Sequence, residues 1–362
     1  MITLEQHRLA RSRLWLGIAN VGFWVFAASG GLFLLLVFGF DGLGAGRWLL
    51  LGALIVAVQG LFDFVGGALL MPGMRPSAGG FSRGWARGVA GHSVVMLGFT
   101  LLSYVSFRFS GGFGLAIVLG STGLALGRRF LAKAIGGVLV RVGTLDGRAI
   151  LYGSTTDPSF TGGIVGLGRS AMSLEPASWP GSLPPGELAA EASRRKWQIE
   201  EGLAGRSFFL ILSWNLLGTY AGSLACGLAT RPPGDALFGH ACWMTLWTFG
   251  GLLILPLLSR TAVLAADRAA LDAGYDPRGW ITLFPGLVGE EGGPNAAVEA
   301  IFYPIPSAAR RLRALDQSVP RFVPGNLARN NLYYSWATLT FLGRCVHCNV
   351  GRPALWVFPP TA

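Results

Sequence analysis

Pro184-Pro185-Gly186-Glu187-Leu188-Ala189-Ala190-Glu191-Ala192-Ser193-Arg194-Arg195-Lys196-Trp197-Gln198 is a polar stretch set in an otherwise apolar chain. A proline-punctuated loop, Trp179 to Gly186, leads into it, and a helix is expected over about 186–202. Just beyond, two apolar runs follow at about 207–228 and 240–258. Working outward, the composition is 52% hydrophobic and 13% charged, against roughly 25% charge in a typical soluble protein. This composition argues for an integral membrane protein. A helix needs roughly 20 apolar residues to cross the hydrocarbon core, and four more runs qualify, at about 15–38, 48–71, 89–107 and 112–127. The last is short and rich in glycine (Gly112, Gly114, Gly120, Gly123). Ser110-Gly111 marks the short break from its neighbour, so this pair can also form a re-entrant hairpin.

Charge orients the array. With six spans both termini share a side, and that side holds 26 of the 29 basic residues. Only Arg47, Arg108 and Arg231 lie on the other. Lys and Arg concentrate on cytoplasmic loops, so both termini are expected in the cytoplasm. The net charge of +11 follows from the same bias and from attraction to anionic lipid headgroups. No nucleic-acid-binding motif accompanies the arginines, and nucleic acid is not an expected partner. Arginine outnumbers lysine 27 to 2, as in chains from GC-rich bacterial genomes, so a bacterial cytoplasmic membrane is the expected location. The basic and then apolar N-terminus lacks a small-residue cleavage site and reads as a first span rather than a signal peptide. Thr3-Leu4-Glu5-Gln6 fits a capping box ahead of it.

Five regions follow from this reading. They are an N-terminal membrane section (1–127), a cytoplasmic insert (128–206), a two-span hairpin (207–258), a cytoplasmic helical part (259–316) and an aromatic tail (317–362). In the insert, a helix over about 128–137 gives way to alternating Val138, Val140 and Val142. Ala149 and Leu151 continue the alternation beyond the turn at Asp146-Gly147, a strong hairpin signal. Further strands are expected at 163–167 and 171–174. A helix over 259–273 should continue the sixth span, and a basic helix should cover 307–316. The tail has little periodicity but carries Tyr333, Tyr334, Trp336, Phe341, Trp356 and Phe358. It is expected along the membrane interface, where Trp and Tyr concentrate.

Five short pieces, in order over about 130–316, resemble the membrane metallopeptidase family 48, the family of HtpX and the CAAX prenyl endopeptidase. Ser159-Phe160-Thr161-Gly162 resembles its strand segment, and Pro184 to Ala190 resembles the S-P-E-E-L-x-A start of its metal-binding helix. The two-span hairpin comes next. Ala266-Asp267-Arg268-x-Ala270 then matches the A-D-x-x-A after the third ligand, and Pro306-Ser307 to Leu315 fits the closing H-P-S-x-x-x-R-I-x-x-L. The resemblance implies a membrane α-helical fold of about six spans with a cytoplasmic α+β metallopeptidase-like domain. In its register the two histidines of HExxH fall on Arg194 and Gln198, the general-base glutamate on Arg195, the third ligand on Val263 and the closing histidine on Ile305. A guanidinium has no lone pair for a metal. The resemblance therefore implies a degenerate site, no catalytic residues and no cofactor.

Other candidates lie elsewhere. The four histidines are His7, His92, His240 and His347, scattered along the chain. Cys345-Val346-His347-Cys348 places three donors in four residues and is a weak metal candidate, because structural zinc sites pair a C-x-x-C with a second pair. Cys226 and Cys242 read as buried thiols in spans. Asp63 is the acid deep in a span, a costly placement that marks either function or an interhelical hydrogen bond. His92 is its expected partner, with Gln59 as the alternative. Gly218-x-x-x-Gly222 suits close helix packing.

The leading expectation is a catalytically inactive pseudopeptidase that binds or scaffolds other membrane proteins or peptides, surrounded by membrane lipids. Arg194, Arg195 and Lys196 would favour acidic partners. The alternatives are a membrane-complex or transporter subunit, or an enzyme with altered non-zinc chemistry in the same cavity or at Asp63.

Overall fold

The computed structural model describes residues 4–39, 45–70, 78–145, 148–290, 296–317 and 322–360. Six of its helices are long and apolar enough to cross a membrane. They are α1 (Leu4–Phe38), α2 (Ala45–Phe64, running on as a π-helical turn over Val65–Leu69), α3 (Ala78–Ser110) and α4 (Gly114–Ala134), then α7 (Leu203–Ala225) and α8 (Pro233–Asp272). Each expected span falls mainly on one of these helices, and α1, α3 and α8 run further than hydropathy alone indicated, whereas α7 stops at Ala225. α3 and α4 have 33 and 21 residues and pack against each other as a helical hairpin. α4 also absorbs the helix expected to begin the insert. Arg231 Nη1 donates to the Leu35 carbonyl at 3.1 Å, which places the α7–α8 turn beside the C-terminal end of α1. Large apolar side chains such as Phe26, Leu54, Leu97 and Phe209 point outward from the helices, as suits contact with hydrocarbon.

Between α4 and α7 the chain forms β1 (Leu139–Leu145), β2 (Arg148–Ser154), β3 (Gly163–Val165) and β4 (Met172–Pro176), a sheet of order β1-β2-β4-β3. The expected hairpin forms, with Val142 opposite Leu151. Its turn at Asp146-Gly147 lies outside the described residues, as does the capping threonine Thr3. β2 and β4 are parallel, and β3 pairs antiparallel with β4, leaving β3 at the sheet edge. Next come α5 (Trp179–Ser182) and α6 (Pro185–Glu200), whose Pro185 suits a first helical turn. α8 continues well past its apolar part. It is followed by α9 (Arg278–Val288), α10 (Ala296–Phe302), α11 (Ala308–Ala314), α12 (Leu327–Tyr334) and α13 (Pro353–Val357).

The tail departs from the interfacial expectation. Tyr333, Trp336, Trp356 and Phe358 are each buried, and they join residues of α3, α4, β2 and β4 in one core cluster. α12 packs on α7 and α8, while α13 packs on α3 and α4. Polar anchors hold these contacts. Tyr333 Oη donates to the Leu124 carbonyl at 2.9 Å, and Arg128 Nη2 donates to the Val357 carbonyl at 2.9 Å. The Arg128 guanidinium also lies over the Phe358 ring, 4.5 Å from its centroid. At Gly66 and Gly67 an added Cβ would stand 2.7 Å from the Val350 carbonyl and 2.4 Å from that of Gly351. These glycines let the tail backbone lie against α2. The aromatic residues that suggest an interfacial belt are thus the filling between spans.

Candidate functional site

α6 presents Glu191, Arg194 and Arg195 on one buried face, because residues three and four apart share a helix side. Arg195 donates from Nε to Glu191 Oε1 at 2.6 Å, from Nη1 to the Leu174 carbonyl at 2.6 Å and from Nη2 to the Thr161 carbonyl at 2.6 Å. Its guanidinium stacks on the Trp179 ring. Arg194 contacts the other Glu191 oxygen and forms an ion pair from Nε to Asp267 Oδ1 at 2.8 Å. Asp267, from α8, is in turn clamped by Arg311 of α11 through two hydrogen bonds of 2.8 Å. The side chains of Arg194, Asp267 and Arg311 are each no more than 1% exposed. Burial works against the charge on Arg194, but Asp267 and Glu191 outweigh it and hold the guanidinium above its ordinary value. Glu175 sits beside this network. Burial pushes its carboxyl up, against the opposing pull of Arg195.

The fold brings the positions singled out by motif together. Arg194, Arg195 and Gln198 share α6, and Val263 faces them from α8. Val263 and Ile305 belong to one apolar cluster with Trp179, Trp280, Phe284 and Val288. A cleft of about 60 Å³ runs along this region. Glu191, Arg195, Gln198 and Val263 line one side of it, with Gly163 and Ile164 of the edge strand β3 among the remaining lining residues. At Gly162 the backbone has φ +71°, and an added Cβ would come within 1.9 Å of the Leu174 carbonyl. Only glycine lets β3 turn in beside β4 at that point. Glu191 and Arg311 were not recognised as site residues in the sequence. The readable signal for Glu191 was its spacing three and four before the arginines. The pairing with Arg311 spans 44 residues and required the fold.

Asp63 and His92 are not brought together. Asp63 accepts from Gln59 Nε2 at 3.3 Å, Trp85 Nε1 at 3.1 Å and the Gly351 amide at 2.9 Å, with Arg344 Nη1 at 3.8 Å. It therefore ties α2 to α3 and to the tail. His92 instead packs edge-on against Trp336 and Trp356. The cysteines of the C-x-x-C diverge. Cys345 Sγ faces the Phe341 carbonyl and Gln59, whereas Cys348 Sγ accepts from Arg329 Nη1 and lies near Asn349. Among the described residues, no three His, Cys, Asp or Glu side chains converge on a common metal position. Cys226 and Cys242 are buried thiols.

No protein-family model and no curated protein matches the sequence. The fold is similar to the crystal structure of S. mikatae Ste24p, with a TM-score of 0.52 at 13% identity, covering 82% of this chain and 81% of that one. The likeness and the six apolar helices make this chain a multi-pass membrane protein with a Ste24p-like fold.

Proposed function

We propose that this chain is a membrane pseudopeptidase, a metallopeptidase-like protein whose cleft holds a peptide strand without cutting it. The carrying observation is the ion network of α6, α8 and α11. A catalytic zinc takes three protein ligands and a water. The positions that match the ligands hold Arg194, Gln198 and Val263, and the general-base position holds Arg195. Guanidinium and isopropyl groups offer no lone pair. The carboxylates Glu191 and Asp267 are each engaged by two guanidiniums. These residues do not fit zinc, and no hydrolytic step is derived through one. What remains is the edge strand. β3 offers unpaired backbone groups beside the cleft, the arrangement that captures an extended peptide by strand addition. Arg194 and Arg195 are occupied internally, so they do not recruit acidic partners as the sequence suggested. The basic bias supports cytoplasmic placement of this cleft and of both termini.

The test uses full-length protein. Zinc is quantified by mass spectrometry alongside a peptidase assay, and a photo-crosslinking residue replaces Ile164 in native membranes. The expected result is substoichiometric zinc, no cleavage, and peptide adducts at Ile164. Stoichiometric zinc with chelator-sensitive cleavage would overturn the proposal.

A further inference from the structure

The cleft beside β3 contains a cation for which the protein supplies no counter-charge. Arg128, near the C-terminal end of α4, is half-buried and lines this cleft together with Gly163 and Ile164. Its guanidinium is fixed in place. Nε and Nη2 both donate to the Val357 carbonyl, at 3.1 and 2.9 Å, and the ring centroids of Tyr333 and Phe358 lie 4.8 and 4.5 Å from Cζ. Among the described residues no carboxylate pairs with it, and Nη1 has no hydrogen-bond partner yet is not enclosed. Glu191, a carboxylate in the same lining, is engaged by Arg194 and Arg195.

Tyr334 supplies a second donor. It is 4% exposed and lines the same cleft. The neighbouring Tyr333 Oη is taken up by the Leu124 carbonyl, whereas Tyr334 Oη has no partner among the described residues and is not enclosed. The Arg128 charge acts on this hydroxyl, so the two groups are neighbours. One guanidinium edge and one hydroxyl offer two donors, which match the two oxygens of a carboxylate. Held between rings, the guanidinium has little freedom left to lose on binding. The low dielectric around those rings strengthens a charged hydrogen bond.

We propose that Arg128 and Tyr334 form a carboxylate pocket in the peptide cleft, so that the strand held along β3 is an acidic one. The carboxylate comes from an acidic side chain or from the C-terminus of the peptide. This inference rests on the strand-holding reading of the cleft and names the chemistry of its ligand. It supplies the acidic preference that Arg194 and Arg195, engaged by Glu191 and Asp267, do not.

The experiment uses the full-length protein in detergent, with a photo-crosslinking residue in place of Ile164. The probes are a fluorescent peptide of alternating Val and Thr with an amidated C-terminus, and the same peptide as the free acid. Amidated versions carry a single Glu, or a single Gln, at each position in turn. The neutral amide reports strand capture alone. An acid-bearing probe should crosslink about tenfold better than its neutral counterpart, the scale of one charge-assisted hydrogen bond. Preference for the free acid assigns the carboxylate to the peptide terminus, and preference for Glu at one position assigns it to a side chain. Arg128→Gln should abolish the difference and leave the yield of the neutral peptide unchanged. Tyr334→Phe keeps the ring that packs on Phe208 and should reduce the difference. Equal yields for every acid and its neutral counterpart would overturn the carboxylate pocket and leave strand capture standing. So would an acid preference that survives both Arg128→Gln and Tyr334→Phe at wild-type unfolding temperature. Absence of adducts from every probe would overturn both readings.

Discussion

Asp267→Asn is the sharpest test of the network at the candidate site. The carboxylate is 1% exposed and neutralises Arg194 and Arg311, themselves 0% and 1% exposed. Removing its charge leaves two buried guanidiniums with insufficient partners. Breaking a buried ion pair costs about 3–5 kcal/mol, chiefly through the charge left behind. Asn keeps one acceptor oxygen, so the lower end, about 3 kcal/mol, applies. At about 2 °C per kcal/mol for a chain of this size, the unfolding midpoint should fall by about 6 °C. All four cysteines are buried, so a thiol-reactive fluorogenic dye in detergent reports unfolding directly. Asp272→Ala serves as the control. Its pair with Arg268 is also 2.8 Å, but the two side chains are 58% and 36% exposed, and such pairs contribute less than about 1 kcal/mol. Adding Arg194→Met to Asp267→Asn should recover part of the loss, since the two residues are coupled. An Asp267→Asn midpoint no lower than that of Asp272→Ala would refute the reading of this network as a buried, mutually neutralising one.

Three other perturbations follow. Asp63→Ala removes the acceptor that Gly351, Trp85 and Gln59 share, so the tail should loosen and Cys345, now buried beside Gln59, should react faster with a maleimide than in wild type. Gly162→Ala forces a Cβ onto the Leu174 carbonyl at positive φ. It should cost about 1–3 kcal/mol and lower peptide crosslinking at Ile164, both measurable on one preparation. Burial holds His347 below its ordinary 6.5, with Glu290 pulling the other way. Burial raises the Glu290 carboxyl, but His347, with Nε2 at 3.5 Å, and the charge of Arg329 bring it below its ordinary 4.5. Both groups are more acidic in the folded chain, so the unfolded chain takes up protons first as pH falls. Stability should therefore decline from about pH 6.5 downward through His347, with the Glu290 contribution lost below about 4.5. His347→Gln should flatten the upper part of that slope in pH-dependent thermal unfolding.

Hydropathy located all six spans because each is a continuous apolar run, a local property that survives any arrangement of the rest. The hairpin was legible from period-two alternation around Asp-Gly, and α6 from its proline-punctuated start. Helix ends were less legible. α1 begins at Leu4 and α8 runs to Asp272, since helical hydrogen bonding continues through polar residues that hydropathy scores as loop. The tail was misread because Trp and Tyr suit an interface and a core equally well. α12 has eight residues and α13 five, too few turns to show a period.

The sequence by itself determined that this is a membrane chain and that a polar, arginine-bearing helix precedes a two-span hairpin. Those are properties of residue type and short spacing. Only the tertiary structure decided what the arginines do. Asp267 reaches Arg194 across 73 residues and Arg311 across 44, and together with Glu191 it turns an apparent excess of positive charge into a nearly balanced, buried network. Charge pairing at that separation is set by where α6, α8 and α11 meet, and no local pattern in the chain encodes it.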